Sequence, residues 1–264
     1  MITEAQLKDC KKEFEEYFKS LTAETHENKT RIDDVRSHSL RVAANTKTLT
    51  SKLLQSEEDQ ALAEVIALFH DLGRAAMISE GTESPTNIQR NHAGYSLTIM
   101  AGMSCWTSLT DEAKLTIQKA IDGHNKNKLP KLDSEQQMLY ARILRDADKL
   151  DIFDSSYRFF KERAGIQPIV TFDLINSAEV SDKILKSIQG GKPALLEDMK
   201  TMNDYKLLLM SMVFDLNFKY TFRIMAEKQY IQKIYETLPK RDHIIDAYRG
   251  IKLFVENKFV FSGN

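Results

Sequence analysis

The stretch that decides the fold is residues 61–73, ALAEVIALFHDLG, in which apolar side chains at helical spacing run directly into a histidine and an aspartate. Residues three and four apart share one helix face, so the pattern predicts a mostly buried helix. Ser56, followed by Asp59, predicts its start, and Gly73 predicts its end as a C-cap. Adjacent side chains on a regular helix point about 100° apart. His70 and Asp71 can therefore reach one common centre only because they lie at a helix end.

Outward from this stretch the sequence reads as helix after helix. Thr3 with Gln6 predicts a capping box for the first helix. Further helices are predicted at residues 34–54, 92–103, 110–123 and 134–160, and in the C-terminal part at 178–189, 203–230 and 241–257. A polar loop is expected at 79–91, a break at 189–193, and the one weak strand candidate is 167–172. The fold class is predicted to be all-α.

Composition narrows the classes of function. The chain has 264 residues and a formal net charge of −1, so no basic excess marks it as a binder of duplex nucleic acid. No window approaches the roughly 18 apolar residues of a membrane span, and the charged N-terminus is not a signal peptide. Cys10 and Cys105 lack metal-type spacing and are interpreted as reduced thiols. A cytoplasmic location without membrane attachment is expected.

Candidate metal ligands form an ordered series along the predicted helices: His38, His70, Asp71, His92, His124 and Asp148. Imidazole and carboxylate ligands gathered from several helices suit a divalent metal, and six are more than one metal requires. Asp71 can bridge two metals through its two oxygens, with His38 and Asp148 completing one and His92 and His124 the other. Two such cations would share a hydroxide that attacks phosphorus in line. His26 and His243 are interpreted as surface or hydrogen-bonded residues.

The segments around these ligands resemble the HD superfamily of metal-dependent phosphohydrolases. They are VRSHSLRVA with His38, LFHDLGR with His70 and Asp71, NHAGYSL with His92, DGHNK with His124, and RDADKLD with Asp148. The resemblance covers roughly residues 30–160. The ligand series is similar to that of the family's subset with binuclear metal sites, although no GYP motif is present. It implies the ligand assignment given above and favours Asp148 over Asp146. An acidic pair of the HDxxED type is absent, which disfavours the stringent-response branch.

The same resemblance implies an HD-domain helical bundle over residues 1–162, with its core at 30–160. Residues 163–264 are expected to form a C-terminal helical extension packed on the same domain. Asp71, Arg74 and Lys149 are the candidate catalytic residues. A lysine at the position of Lys149 reaches the substrate phosphate in several nucleotide-acting members, and Arg74 can offer a guanidinium to two phosphate oxygens. Both could instead be solvated or ion-paired surface residues, with Lys149 in a salt bridge to Asp146 or Asp151.

Arg90 and Asn91, at the end of the polar loop, are the remaining candidates for substrate binding, beside Arg74 and Lys149. The function indicated is hydrolysis of a small phosphoester, with a nucleotide as the favoured substrate. The cofactors expected are two divalent metal ions, Mn or Fe first, with Co, Ni, Zn or Mg as alternatives. The expected partner is a small phosphorylated molecule, and the C-terminal helices could form a homodimer surface. A di-iron oxygenase of the same fold and a non-catalytic ligand-sensing module remain the alternatives.

Overall fold

The computed structural model describes residues 2–82, 92–162, 174–175 and 177–260. Its α-helices are α1 (Glu4–Ser20), α2 (His26–Leu53), α3 (Glu57–Phe69), α4 (Leu72–Ser79), α5 (His92–Ala101), α6 (Ser104–Thr107), α7 (Asp111–His124), α8 (Glu135–Glu162), α9 (Asp182–Gln189), α10 (Met202–Ser211), α11 (Lys219–Lys228), α12 (Tyr230–Glu236) and α13 (Asp242–Val260). Within these ranges the only β pairing is an isolated bridge between Ile175 and Thr201. The all-α prediction is confirmed, and the strand candidate at 167–172 lies outside the described residues.

The chain divides into two compact units, Met1–Asp151 and Ile152–Asn264, and the division falls within α8. In the first unit α2 packs against α3 and α4, α4 packs against α5, and α5 packs against α7. The core contains fully buried side chains such as Leu49, Ile66 and Phe69. Burial of such side chains contributes roughly 1.5–3 kcal/mol each. This core fixes the helix ends that carry the candidate ligands.

Capping residues explain where several helices begin. The capping box of Thr3 and Gln6 is present, and the hydroxyls of Ser56 and Thr110 accept the backbone N–H groups three residues later. Ser134 Oγ accepts the backbone N–H of Gln137 at 3.1 Å at the start of α8. Each cap satisfies an N–H that the helix itself leaves free. The predicted starts of these four helices are confirmed.

The second helix begins earlier than predicted. It starts at His26 and not at residue 34, because the Thr25 side chain caps it by accepting the N–H of Asn28. The added turns are polar, with HENKTRIDD at 26–34, so they lacked the apolar periodicity on which the prediction relied.

The role predicted for Gly73 is wrong. The third helix ends at Phe69, the chain turns at His70 and Asp71, and Gly73 lies inside α4. Glycine is needed there for close helix packing, because a Cβ atom would lie 2.3 Å from the backbone oxygen of His92 in α5. The predicted helix end next to His70 and Asp71 exists, but Gly73 is not its cause.

Ser79, placed in the polar loop by the sequence, is the last residue of α4, and residues 83–91 lie outside the described part. In the second unit, the helix predicted at 203–230 is broken by a 3₁₀ turn at Met212–Asp215. A left-handed Gln229, with φ 54°, separates α11 from α12. The break predicted at 189–193 is confirmed, since α9 ends at Gln189.

The second unit has its own apolar core, in which α13 packs against α9, α11 and α12. Leu207 and Met210 of α10 and Met225 of α11 are buried. Cys10 and Cys105, both in the first unit, are free and buried. None of the helices in the described residues is both long and apolar enough to span a membrane.

Candidate metal centre

The structure brings the six predicted ligands together within the first unit. They come from two mid-helix positions and four helix termini: His38 in α2, His70 at the C-cap of α3, Asp71 at the N-cap of α4, His92 as the first residue of α5, His124 as the last of α7, and Asp148 in the middle of α8. The four histidines and Asp71 are buried, and the Asp148 side chain is 15% exposed. The helix ends allow His70, Asp71, His92 and His124 to turn toward one point.

One group of ligand atoms surrounds the Oδ2 atom of Asp71. His38 Nε2 lies 3.9 Å and His70 Nε2 3.7 Å from this oxygen. Asp148 Oδ1 lies 3.1 Å from His38 Nε2 and 4.0 Å from His70 Nε2. Metal–ligand bonds of about 2.0–2.2 Å place neighbouring ligand atoms about 3.0–3.5 Å apart. The ligand atoms of this group would therefore need to move only slightly closer together to bind one metal ion.

A second group surrounds the other oxygen of Asp71. His92 Nε2 lies 3.3 Å and His124 Nε2 3.5 Å from Asp71 Oδ1. The two Nε2 atoms are 3.1 Å apart. Three nitrogen and oxygen lone pairs therefore face one small volume, as the ligands of a single ion do.

Asp71 stands between the two groups, one oxygen toward each. Among the described residues, two sets can hold a metal ion: His38 with His70 and Asp71, and Asp71 with His92 and His124. His70 Nε2 and Asp71 Oδ1 are buried and have no hydrogen-bond partner in the described part of the chain. Burying a polar atom without a partner is unfavourable by about 1–3 kcal/mol. A metal ion on each side of Asp71 would satisfy both atoms, so the residues present fit two divalent ions.

The opposite ring nitrogens of three histidines are held by hydrogen bonds. His70 Nδ1 lies 2.7 Å from the carbonyl oxygen of Ala67, and His124 Nδ1 lies 2.7 Å from that of Ile121. His38 Nδ1 lies 2.7 Å from Asp151 Oδ2. An imidazole that donates its Nδ1–H in this way keeps Nε2 free as a metal ligand.

The electrostatic environment keeps most ligands in their metal-binding protonation states. Burial lowers the pKa of His70 to about 4, and burial together with the Arg74 guanidinium lowers that of His92 to about 3. Burial raises the pKa of Asp71, but the charges of Arg74 and the histidines outweigh it and hold this pKa well below its usual range. His38 differs: burial lowers its pKa, yet hydrogen bonds to Asp148 and Asp151 outweigh burial and raise it to about 10.

Of the predicted substrate residues, Arg74 lies next to this centre. Arg74 Nε is 3.3 Å from Asp71 Oδ2, and the arginine side chain is 16% exposed. Lys149 is buried, with its ammonium 3.5 Å from the carbonyl oxygen of Arg145 one turn earlier in α8. Arg90 and Asn91 lie outside the described residues.

Residues that the sequence interpretation did not assign to the site support it from outside. Asp151 and Arg41 hold His38, with Arg41 Nε 2.6 Å from Asp151 Oδ1. Buried Arg145 donates to the carbonyl oxygens of Gly123, His124 and Lys126 and so fixes the chain around His124. The spacing of His38 with Arg41 and of Asp148 with Asp151, both i and i+3, was the signal available in the sequence.

In this domain, helices bring histidines and aspartates together around one shared aspartate, which is the arrangement of a helical metal-binding domain. The family model of the HD domain matches residues 35–152, which include all six candidate ligands. Residues 35–152 therefore form an HD domain, as the sequence resemblance indicated. No curated protein and no solved structure gives a significant match to the chain.

Proposed function

We propose that this chain is a metal-dependent phosphohydrolase that cleaves a small phosphoester, with a nucleotide as the favoured substrate. The observation that carries the proposal is the position of Asp71, whose two oxygens face two separate sets of imidazole nitrogens. HD domains are typically found in metal-dependent hydrolases, and the HD domain here retains six ligand-type residues in one cluster.

The chain's own residues would hold one ion with His38, His70, Asp71 and Asp148, and a second with Asp71, His92 and His124. Mixed imidazole and carboxylate ligands accept several divalent ions, and we propose manganese or iron first, with cobalt, nickel, zinc or magnesium as alternatives. Two such ions supply an activated water as nucleophile and Lewis-acid polarisation of phosphoryl oxygens.

Two cationic side chains support a phosphate-bearing substrate. Arg74 lies beside Asp71, and its planar guanidinium can donate to two phosphate oxygens at once. Lys149 follows Asp148 directly and adds a second positive charge on α8. We assign both residues to substrate binding and to neutralising charge on the phosphoryl group. A few local cations suit a small phosphorylated molecule and not a nucleic acid duplex, in agreement with the net charge of −1.

The test uses a panel of nucleoside monophosphates, cyclic nucleotides and p-nitrophenyl phosphoesters with Mn²⁺ or Fe²⁺ added, and it measures release of phosphate and nucleoside, of nucleoside monophosphate, and of p-nitrophenol, respectively. Asp71→Ala is the test variant. Asp33→Ala is the matched control, because Asp33 lies on exposed α2 surface and pairs only with Lys29 in the described structure. Metal-dependent release that disappears in Asp71→Ala and persists in Asp33→Ala supports the proposal.

Absence of release from every ester by protein that carries two metal ions would overturn it. If that protein carries two irons and consumes oxygen with a diol or phosphonate substrate, the oxygenase alternative replaces it. Equal activity of Asp71→Ala and wild type would also end the proposal.

A further inference from the structure

Three of the four histidines, His38, His70 and His124, place Nδ1 next to an acceptor, and they do so in two different ways. His70 and His124 use the backbone carbonyl three residues earlier, Ala67 and Ile121. Both histidines lie at helix C-termini, where the last carbonyl groups have no partner within the helix. The backbone itself therefore orients these two rings.

His38 cannot use this solution. It lies in the middle of α2, where each backbone carbonyl accepts the N–H four residues later. Its ring needs a side-chain acceptor, and Asp151 of α8 provides one at 2.7 Å. Asp151 is buried with 2% exposure, so its negative charge also needs a partner.

Arg41 is that partner. Its Nε lies 2.6 Å from Asp151 Oδ1 and its Nη2 3.1 Å from Oδ2, a two-point contact. The Arg41 side chain is 40% exposed, so the guanidinium links the buried carboxylate to the surface. Burial raises the pKa of Asp151, but the hydrogen bonds from His38 and Arg41 outweigh burial and lower it.

Helices α2 and α8 each carry two of these residues at a spacing of three. On α2, His38 is followed three residues later by Arg41, and on α8, Asp148 is followed three residues later by Asp151. His38 faces Asp148 at 3.1 Å on the side of the metal ligands and Asp151 at 2.7 Å on the other side. The ring is therefore held between a candidate ligand and a supporting carboxylate.

We propose that Asp151 and Arg41 are positioning residues that set the affinity of the first metal group by fixing the ring and tautomer of His38. The inference rests on the proposed metal centre. Outer partners of metal-bound histidines typically change metal affinity by about 10–100-fold when they are removed. The second group, with His92 and His124, has no contact with either residue in the described structure and keeps its affinity.

The experiment titrates Mn²⁺ into the metal-free 264-residue chain and follows free Mn²⁺ by electron paramagnetic resonance. A His124→Ala background removes a ligand of the second group, so binding at the first group is measured alone. Asp151→Ala in this background is expected to weaken Mn²⁺ binding by about 10–100-fold. Asp151→Asn keeps an acceptor for His38 and is expected to restore most of the affinity, whereas Arg41→Ala gives an intermediate loss.

The matched control is Glu15→Ala. Glu15 of α1 accepts hydrogen bonds from Arg36 of α2 at 2.9, 2.8 and 2.7 Å, so the variant removes a similar carboxylate partner from another arginine of α2. It is expected to leave Mn²⁺ affinity unchanged. Far-ultraviolet circular dichroism checks that every variant keeps its helical content.

Three results would overturn the inference. Unchanged Mn²⁺ affinity of folded Asp151→Ala, in a chain whose wild type binds two ions, refutes the positioning role and leaves the proposed function standing. An equal loss in Asp151→Asn and Asp151→Ala refutes the hydrogen-bond argument. Wild-type protein that binds no Mn²⁺ refutes the inference and the proposed function together.

Discussion

Replacement of Gly73 by alanine tests how tightly α4 and α5 set the position of His92. A Cβ atom at residue 73 would lie 2.3 Å from the backbone oxygen of His92, 2.7 Å from the backbone nitrogen of Ser96 and 2.8 Å from Tyr95 Cβ. Optimal contacts between carbon atoms are about 3.5–4.0 Å. The obstructing atoms include backbone, so no side-chain rotation relieves the overlap. The first turn of α5 must therefore move by about 1 Å or more.

This movement has two consequences. Overpacking of a tight core typically destabilises a protein by about 1–3 kcal/mol, and we expect Gly73→Ala to fall in that range. His92 is the first residue of α5 and lies 3.3 Å from Asp71 Oδ1, so the shift also opens the second ligand group. We expect Mn²⁺ binding at that group to weaken at least tenfold.

Urea unfolding followed by circular dichroism measures the stability, and the Mn²⁺ titration measures both sites. Gly102→Ala is the matched control, because the nearest atom to its Cβ is the Ile99 oxygen at 3.5 Å, an ordinary contact. Gly73→Ala with wild-type stability and wild-type binding at the second group would refute the packing argument.

Three further predictions concern single side chains. Arg74→Gln and Lys149→Ala are each expected to lower kcat/KM about tenfold or more with metal content unchanged, and loss of metal in either would show that the residue orders the ligands. The pKa of His38 is raised to about 10, so at pH 7 its ring holds a proton that a metal must displace. Mn²⁺ affinity at the first group should then rise up to about tenfold per pH unit between pH 7 and 9, with release of about one proton in calorimetry; pH-independent binding would contradict this. Arg145→Ala leaves three carbonyl groups around His124 without the Arg145 donor. We expect the free energy of unfolding in urea to fall by about 1–3 kcal/mol. An unchanged urea midpoint would show that Arg145 is not needed for stability.

There is a physical reason why the all-α class and the helix ends that carry candidate ligands could be predicted from the sequence. Apolar periodicity and caps such as Ser56 and Thr110 report local structure, and they place His70, Asp71 and His124 at helix ends. Helix ends are where neighbouring side chains can turn toward one point.

What the sequence could not predict depends on tertiary contacts. Gly73 serves equally well as a C-cap or as a point of close helix approach, and only the position of α5 decides between them. Asp151 follows Lys149 by two residues, so a salt bridge with that lysine was one interpretation. In the structure α2 lies beside α8, and Asp151 forms hydrogen bonds with His38 and Arg41. The start of α2 was missed because its first turns are polar.

The most direct test of the two-metal centre is anomalous X-ray scattering from crystals of the Mn²⁺-loaded chain. The account predicts two manganese peaks about 3.5–4 Å apart, one beside each oxygen of Asp71, and their loss in Asp71→Ala. A single peak, peaks away from Asp71, or two peaks that persist in Asp71→Ala would contradict it.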